Sequence, residues 1–153
     1  MTTNKPPKAR FSINLAENPD NQLLLLKRSK KAKLGPGMWG FPAGHIHDKE
    51  TPEDCSYREF NEEIGTNHEV SLINQIGPVR DTFYGGIYEV HLFHYRWKSG
   101  VIILNDEHTE YAWVSARDYK NYAVMDGLDE DILYLGIWPK KYLNSNRLPE
   151  HLK

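Results

Sequence analysis

Three acidic residues, Glu59, Glu62 and Glu63, follow one another at i, i+3 and i+4, a spacing that places them on one face of a helix. Three carboxylates so close together repel one another unless a cation lies against them. Carboxylate oxygens are the ligands that Mg²⁺ prefers. A loop rich in Gly and Pro, ending at Gly44, leads into the helix. The pattern predicts a metal-loaded site that handles phosphate groups.

The residues around these acids favour a helix that begins after Thr51 and ends at Gly65. The Thr51 hydroxyl can cap the N-terminus, and Pro52 at the first helical position lacks only an N–H that needs no partner there. Gly65 supplies a C-terminal stop. At roughly 100° per residue, one apolar set points away from the acids and is predicted to pack on a core. This set is Tyr57, Phe60 and Ile64.

The segment from residue 44 to residue 66 resembles the Nudix box, G-x5-E-x7-R-E-U-x-E-E-x-G-U, in which U is a bulky aliphatic residue. Every fixed position matches, and these positions are Gly44, Glu50, Arg58, Glu59, Glu62, Glu63 and Gly65. Phe60 stands at the first U, and Thr66, at the last, is the one departure. A surface helix with a solvated acidic face would explain the charges but not the offsets of Gly44, Glu50 and Arg58. The chain is therefore identified as resembling a MutT-like Nudix hydrolase.

This resemblance implies the chemistry of the box residues. The Gly44 carbonyl and the three helix acids would bind Mg²⁺ or Mn²⁺, which neutralises phosphate charge and lowers the pKa of bound water. Arg58, also assigned to the catalytic set, would orient the acids, and Glu50 would brace the loop against the helix. Simple charge balance on the surface is the alternative for Arg58.

A further acid far along the chain completes the site in some enzymes of this family, as a metal ligand or general base. The segment NDEHTEYAWVS offers Asp106, Glu107 and Glu110 just before a predicted strand. Glu107 lies six residues before Trp113, a spacing similar to that of MutT-type enzymes. We assign Glu107 to the catalytic set, with Glu110 second. A solvated acidic loop remains the alternative for each.

Four residues are predicted to contact substrate, and these are Arg28, Trp39, Phe41 and Tyr84. Arg28 resembles the basic residue that grips terminal phosphates, whereas an aromatic ring at Trp39 or Phe41 could stack on a base. Core packing is the alternative for both rings and for Tyr84, whose position resembles a Tyr of diadenosine polyphosphate hydrolases. His45 and His47 are not predicted to bind metal, because Mg²⁺ sites seldom recruit imidazole.

The loop WGFPAGH and the intact box predict hydrolysis of (deoxy)nucleoside triphosphates to a monophosphate and pyrophosphate. Dinucleoside polyphosphates, ADP-ribose and nucleotide sugars are alternative substrates. A non-catalytic domain that senses nucleotides is an alternative from another class. Such domains usually have a degraded box, whereas the acids here are complete.

Composition sets the remaining expectations. The chain has 153 residues, 39% of them hydrophobic, which suits one domain with a sizeable core. A net charge of −2 gives no pull toward nucleic acid or anionic membrane, so the expected partner is a small nucleotide substrate. A single cysteine, Cys55, predicts a reducing compartment such as the cytoplasm. Many Nudix proteins form homodimers, but no apolar stripe in the sequence decides the oligomeric state.

The predicted fold is α/β, a Nudix-type α/β/α sandwich around a mixed β-sheet. Residues 1–9 are predicted to be a flexible terminus, residues 10–140 the hydrolase domain and residues 141–153 an irregular tail. Strands are predicted over residues 11–15, 22–27, 70–76, 79–84, 87–97 and 110–114. Besides the box helix, helices are predicted over residues 115–119 and 129–137, with Gly85 and Gly86 as a hairpin turn.

Overall fold

A computed structural model describes residues 5–153 as seven strands, two α-helices and several short 3₁₀ turns. The strands are β1 (Ala9–Glu17), β2 (Leu23–Arg28), β3 (Trp39–Gly40), β4 (Ala43–His45), β5 (His68–Arg80), β6 (Tyr88–Gly100) and β7 (His108–Val114), and the helices are α1 (Pro52–Ile64) and α2 (Leu128–Tyr134). The first four residues of the predicted flexible terminus lie outside the described residues. Beyond them, the Lys8 N–H donates to the Ile87 carbonyl, and Ala9 already begins β1.

The sheet is mixed, as predicted, and runs in the order β3-β2-β1-β6-β5. The central strand β1 lies parallel to β6 from Ala9 opposite Tyr88 to Glu17 opposite Arg96. The other pairings are antiparallel, with β4 against β1 and β7 against β2. This arrangement places the box loop and the start of β7 next to the middle strands.

Alternating side chains of β2 build two cores on opposite faces of the sheet. Leu24 and Leu26 pack under α1 with Phe60, whereas Leu23 and Leu25 pack under α2 with Ile132. Because successive residues of a strand point to opposite faces, one apolar run serves both layers. The predicted α/β/α sandwich is confirmed.

The caps predicted for α1 are present. Thr51 accepts a hydrogen bond from the Asp54 N–H at 3.1 Å, and Gly65 follows the last helical residue at φ 84°. Phe60 and Ile64 are fully buried, as expected, but Tyr57 is 51% exposed, so its assignment to the buried face is wrong. One turn's worth of apolar surface is enough to seat this helix on the sheet.

Several predicted boundaries are wrong. Residues 70–76 and 79–80 belong to one strand, β5, whose pairing with β6 shifts register near the cis Gly77–Pro78 bond, whereas residues 81–84, predicted as strand, lie in the connection that follows it. Residues 115–119 form a turn before a 3₁₀ turn at Tyr119–Asn121 instead of a helix, and α2 ends at Tyr134. Two short strands, β3 and β4, lie in or next to the segment interpreted as a loop. Short or bent elements carry too few periodic residues to signal their limits.

The Gly85-Gly86 turn joins β5 and β6 with both φ angles positive, near 75°. The predicted irregular tail contains 3₁₀ turns; Leu143 is buried in the core cluster that includes Ile132 of α2, and Leu148 is also buried. No helix in residues 5–153 combines the length and apolar character that a membrane span requires.

Candidate active site

A cavity of about 1210 Å³ lies beside α1 and extends to α2. The box loop contributes Gly44 to its wall, and α1 contributes Glu59 and Glu63. Of the predicted substrate contacts, Arg28, Phe41 and Tyr84 line this cavity, but Trp39 does not. The Trp39 ring instead packs edge-on against Tyr122 at 5.2 Å, the core role left open by the sequence.

Arg58 joins the box residues into one network. Its Nε and Nη2 atoms donate to the two Glu50 carboxylate oxygens at 2.8 and 2.9 Å, and Nη2 also donates to the His45 carbonyl at 2.8 Å. Its Nη1 atom donates to Glu59 at 2.7 Å and more weakly to Glu62 at 3.5 Å. These bonds with Arg58 lower the pKa of Glu50 to about 2. Arg58 therefore links the box loop, the helix start and the acid face in one network of charge-assisted hydrogen bonds.

Glu59 lies directly against the backbone of Gly44. A Cβ at position 44 would overlap the Glu59 carboxyl carbon, so only glycine leaves room for this carboxylate. Burial raises the pKa of Glu59, while Arg58 opposes that rise. The close approach brings the Gly44 peptide and the Glu59 carboxylate to the same point in the cavity wall.

Glu63 is the most deeply buried of the box acids, at 2% exposure. One of its oxygens accepts a hydrogen bond from the Ala43 N–H at 2.9 Å. Burial, followed by the nearby Glu59 charge, raises the pKa of Glu63 well above its ordinary value. Glu62, in contrast, has a 55% exposed side chain and lies outside the cavity lining. The three acids therefore share a helix face but not an environment.

The segment before β7 brings Glu107 to the box acids. Ligand atoms of Glu63, Glu107 and His108 lie within 4.8 Å of one another. Asp106 also lines the cavity, whereas Glu110 forms an ion pair with Lys27 at 3.3 Å and is largely exposed. The β2–β7 ladder shifts register between Lys27 and Arg28, so Glu110 faces Lys27 while His108 faces Arg28. Because Lys27 and Arg28 point to opposite faces of the sheet, this irregularity places Glu110 and His108 on opposite faces as well.

Sequence reasoning missed His108. It is 6% exposed, and its Nδ1 atom has no hydrogen-bond partner within residues 5–153. Burial, with a smaller contribution from Arg28, lowers its pKa to about 4, so the ring is neutral at physiological pH. Its position next to Glu107 in the sequence was the only indication that it lies in the site, because a single histidine forms no spacing pattern with other ligands.

Arg28 is directed into the cavity from the end of β2. Its Nε donates to the Leu34 carbonyl at 2.7 Å, which fixes the guanidinium beside the lysine-containing loop. Its positive charge partly offsets the rise in the pKa of Glu63. After burial, the same charge contributes to the lowered pKa of His108. This position suits a group that meets an anion bound beside the acids.

The residues at this end fit a hard divalent cation. The Glu63 carboxyl is buried beside other acids, and both burial and these like charges raise its pKa. A bound cation would offset the repulsion among these carboxylates. Glu59, Glu63, Glu107 and the Gly44 carbonyl supply oxygen donors, as Mg²⁺ and Mn²⁺ require. His45 and His47 line the cavity but do not belong to the cluster of Glu63, Glu107 and His108, and buried Cys55 contacts the Gly44 and His45 carbonyls through its thiol.

Replacing Gly44 by Ala is expected to lower kcat/KM by on the order of 10², because the new Cβ must displace the Glu59 carboxylate. Gly40→Ala is the matched control, since its Cβ would meet only the flexible Met125 thioether at 3.3 Å. Steady-state rates and melting temperatures of both variants decide the matter. A Gly44→Ala enzyme as active as Gly40→Ala would show that Glu59 does not need its observed position.

Comparisons with protein families and with individual proteins agree on one family. The family model described as NUDIX domain matches residues 6–133. The nucleoside triphosphatase NudI of Klebsiella pneumoniae (strain 342) is 31% identical over 115 residues, which cover 67% of this chain and 79% of that protein. An 8-oxo-dGTP diphosphatase of Proteus vulgaris is 44% identical over 58 residues, or 38% of this chain and 51% of that protein.

Among solved structures, the MutT protein of Methanosarcina mazei Go1 is similar in fold, with a TM-score of 0.67. Its sequence is 22% identical, and the match covers 88% of this chain and 96% of that one. Identity at this level shows the fold alone.

Proposed function

This chain belongs to the Nudix hydrolase family of pyrophosphohydrolases, and we propose that it converts (deoxy)nucleoside triphosphates to the monophosphate and pyrophosphate with Mg²⁺ or Mn²⁺. The observation that carries the proposal is the meeting of Glu59, Glu63 and Glu107 with Arg28 in one cavity wall. A triphosphate chain requires carboxylates that bind the metal ions and a fixed positive side chain, here Arg28, that binds the outer phosphates. The names of the NudI and 8-oxo-dGTP diphosphatase relatives favour the same substrate class.

Each box residue has a task in this proposal. Glu59, Glu63 and the Gly44 carbonyl would hold the cation, and Glu62 would join them from the exposed side. A bound divalent cation supplies charge neutralisation at the phosphates and lowers the pKa of the attacking water. Arg58 orients the Glu59 carboxylate through its 2.7 Å hydrogen bond and opposes the rise that burial causes in the pKa of Glu59. Arg28 would bind the outer phosphates.

Glu107 would serve as general base or as an additional ligand. Its carboxylate lies beside Glu63, whose pKa it helps to raise, and it lines the cavity where a water molecule could approach phosphorus. As base, it would accept the proton of that water while the phosphoanhydride bond breaks and pyrophosphate leaves.

Glu107→Gln is expected to reduce kcat by about 10² to 10⁴, the usual contribution of a positioned general base. Glu110→Gln is the matched control, because Glu110 pairs with Lys27 at the surface, and its kcat is expected to stay within about threefold of wild type, as expected for loss of a surface pair. Steady-state rates at saturating substrate measure both values of kcat. Equal losses in the two variants would remove Glu107 from the proposed role.

A substrate screen tests the proposal itself. The purified protein with Mg²⁺ or Mn²⁺ would be given the nucleoside and deoxynucleoside triphosphates, ADP-ribose, nucleotide sugars and diadenosine polyphosphates, with products separated by ion-exchange chromatography. Monophosphate plus pyrophosphate from triphosphates is expected. Cleavage of another group with triphosphates untouched would overturn the substrate assignment. Binding without any cleavage would favour the sensing alternative.

A further inference from the structure

Three buried polar residues lie between α1 and the central strand β1. Ser12 and Asn14 of β1 and Ser56 of α1 are fully buried. Apolar side chains at these positions would bury the same area without any hydrogen bond to satisfy, so the polar groups call for a separate explanation. None of the three lines the cavity, and any role they have in the site must therefore act through other residues.

The contacts between β1 and α1 follow a regular spacing. The Ser12 hydroxyl donates to the Pro52 carbonyl at 2.8 Å, and the Asn14 side-chain amide donates to the Ser56 carbonyl at 3.0 Å. Two residues along a strand advance about 6.7 Å and four residues along a helix about 6 Å, so the two repeats nearly coincide over this length. One face of β1 therefore meets α1 at successive turns of the helix.

The next step of this repeat is apolar, because Ala16 and Phe60 belong to the same buried cluster. Apolar contacts are non-directional, and a small displacement of the helix would change little of the area that they bury. Hydrogen bonds, in contrast, weaken steeply away from their preferred distances and angles. The polar contacts therefore fix the position of α1 along β1 more narrowly than the apolar contacts do.

Asn14 and Ser56 are joined by two hydrogen bonds. Besides the bond to the Ser56 carbonyl, the Ser56 hydroxyl donates to Asn14 Oδ1 at 2.6 Å. Because that hydroxyl has only one hydrogen, its 2.6 Å contact with the Tyr95 hydroxyl leaves Tyr95 as the donor. The pair is thus tied to β6 as well, with a single arrangement of donors and acceptors.

The same stretch of β1 holds the box loop through its backbone. Ser12 lies opposite Gly44 in the β1–β4 ladder, and the Asn14 N–H donates to the Pro42 carbonyl at 2.8 Å. The backbone of these two residues holds β4, while their side chains hold α1. The close approach of Glu59 to Gly44 therefore depends on β1, which aligns the two elements.

We propose that Asn14, through its pair with Ser56, is a positioning residue that sets the register of α1 along β1. The register in turn places the Glu59 and Glu63 carboxylates against the β4 backbone, where the cation would bind. The proposal rests on the proposed function for its ligand, a divalent cation. Replacing a residue that orients metal ligands typically weakens metal affinity by about 10- to 100-fold. A role in folding alone would lower the melting temperature and leave the affinity of the folded protein unchanged.

Asn14→Leu tests the proposal, because leucine is close to asparagine in shape but makes neither hydrogen bond. The dissociation constant of Mn²⁺ is measured by calorimetry on the nucleotide-free protein, well below the melting temperature of each variant. It is expected to rise about tenfold or more. Tyr95→Phe is the matched control, since it removes a hydroxyl from the same network and leaves both bonds between Asn14 and Ser56. An Asn14→Leu protein that binds Mn²⁺ as tightly as Tyr95→Phe would overturn the proposal.

Ser56→Ala gives the decision if Asn14→Leu does not fold. Alanine favours a helix, and the change removes the hydroxyl bond but keeps the bond from Asn14 to the Ser56 carbonyl. The Mn²⁺ affinity is expected to fall below that of Tyr95→Phe, and by less than the loss expected for Asn14→Leu. An affinity equal to that of Tyr95→Phe would show that the pair does not position the acids.

Nucleotide is absent from this measurement, so the two proposals can fail separately. If the Mn²⁺ affinity depends on Asn14 but triphosphates are not cleaved, the positioning role stands and the substrate assignment fails. If triphosphates are cleaved and the affinity does not depend on Asn14, the positioning role is wrong and the proposed function stands.

Discussion

Removal of divalent cations with EDTA is expected to abolish hydrolysis, and added Mg²⁺ or Mn²⁺ is expected to restore it. Glu59, Glu63 and Glu107 line one cavity, and burial, followed by the charges of Glu59 and Glu107, raises the pKa of Glu63. Without a cation, this cluster would repel an anionic substrate instead of holding it. Phosphate release measured across a Mg²⁺ titration after chelation checks the expectation.

The same experiment has an expected pH dependence. Glu63 must lose its proton to bind a cation, and its raised pKa keeps that proton on as the pH falls. The apparent Mg²⁺ affinity should therefore weaken as the pH falls, and this loss should begin at a higher pH than for an ordinary glutamate. Full activity in EDTA, at any pH, would contradict a metal-dependent mechanism.

Glu62→Gln and Glu63→Gln are each expected to lower kcat by on the order of 10² or more, the cost of removing a charge-stabilising group from a preorganised site. Gln keeps the size of Glu and can still accept the hydrogen bond that the Ala43 N–H gives to Glu63 at 2.9 Å. The loss would therefore report on charge and not on packing. If a variant has a near-normal rate in saturating Mg²⁺, the residue replaced in it is not a metal ligand.

Stability separates the two variants, because Glu63 is buried and Glu62 is largely exposed. The pKa of Glu63 is raised in the folded state above its ordinary 4.5, so its contribution to folding is most favourable below pH 4.5 and declines as pH rises through the folded pKa. In EDTA, Glu63→Gln should match wild type near pH 4 and melt at a higher temperature at pH 7 to 8. Glu62→Gln should melt close to wild type at both.

Scanning calorimetry at the two pH values measures the melting temperatures of both variants in EDTA. The same measurement with added Mg²⁺ tests the effect of the cation. Cation binding should raise the melting temperature of wild type more than that of Glu63→Gln. A Glu63→Gln protein that is less stable than wild type at pH 8 in EDTA would mean that the buried carboxyl is satisfied without a cation.

The sequence by itself determined the local parts of this protein. The Thr51 cap, Pro52 and Gly65 define α1 because capping and φ preferences act over a few neighbouring residues. The strand predicted over residues 22–27 is present as β2, because a run of four leucines suits a strand that is buried on both faces. The box spacing likewise placed the acids on one helix face and indicated the family.

Only the tertiary structure decided which residues meet across the chain. A register shift in the β2–β7 ladder places His108 and Glu110 opposite neighbouring residues of β2, and no local rule reveals it. The burial of Glu63 and the exclusion of Trp39 from the cavity depend on packing between distant elements. Helix and strand periods specify a side chain's face, but its solvent exposure, pKa and partners come from what the rest of the chain places against that face.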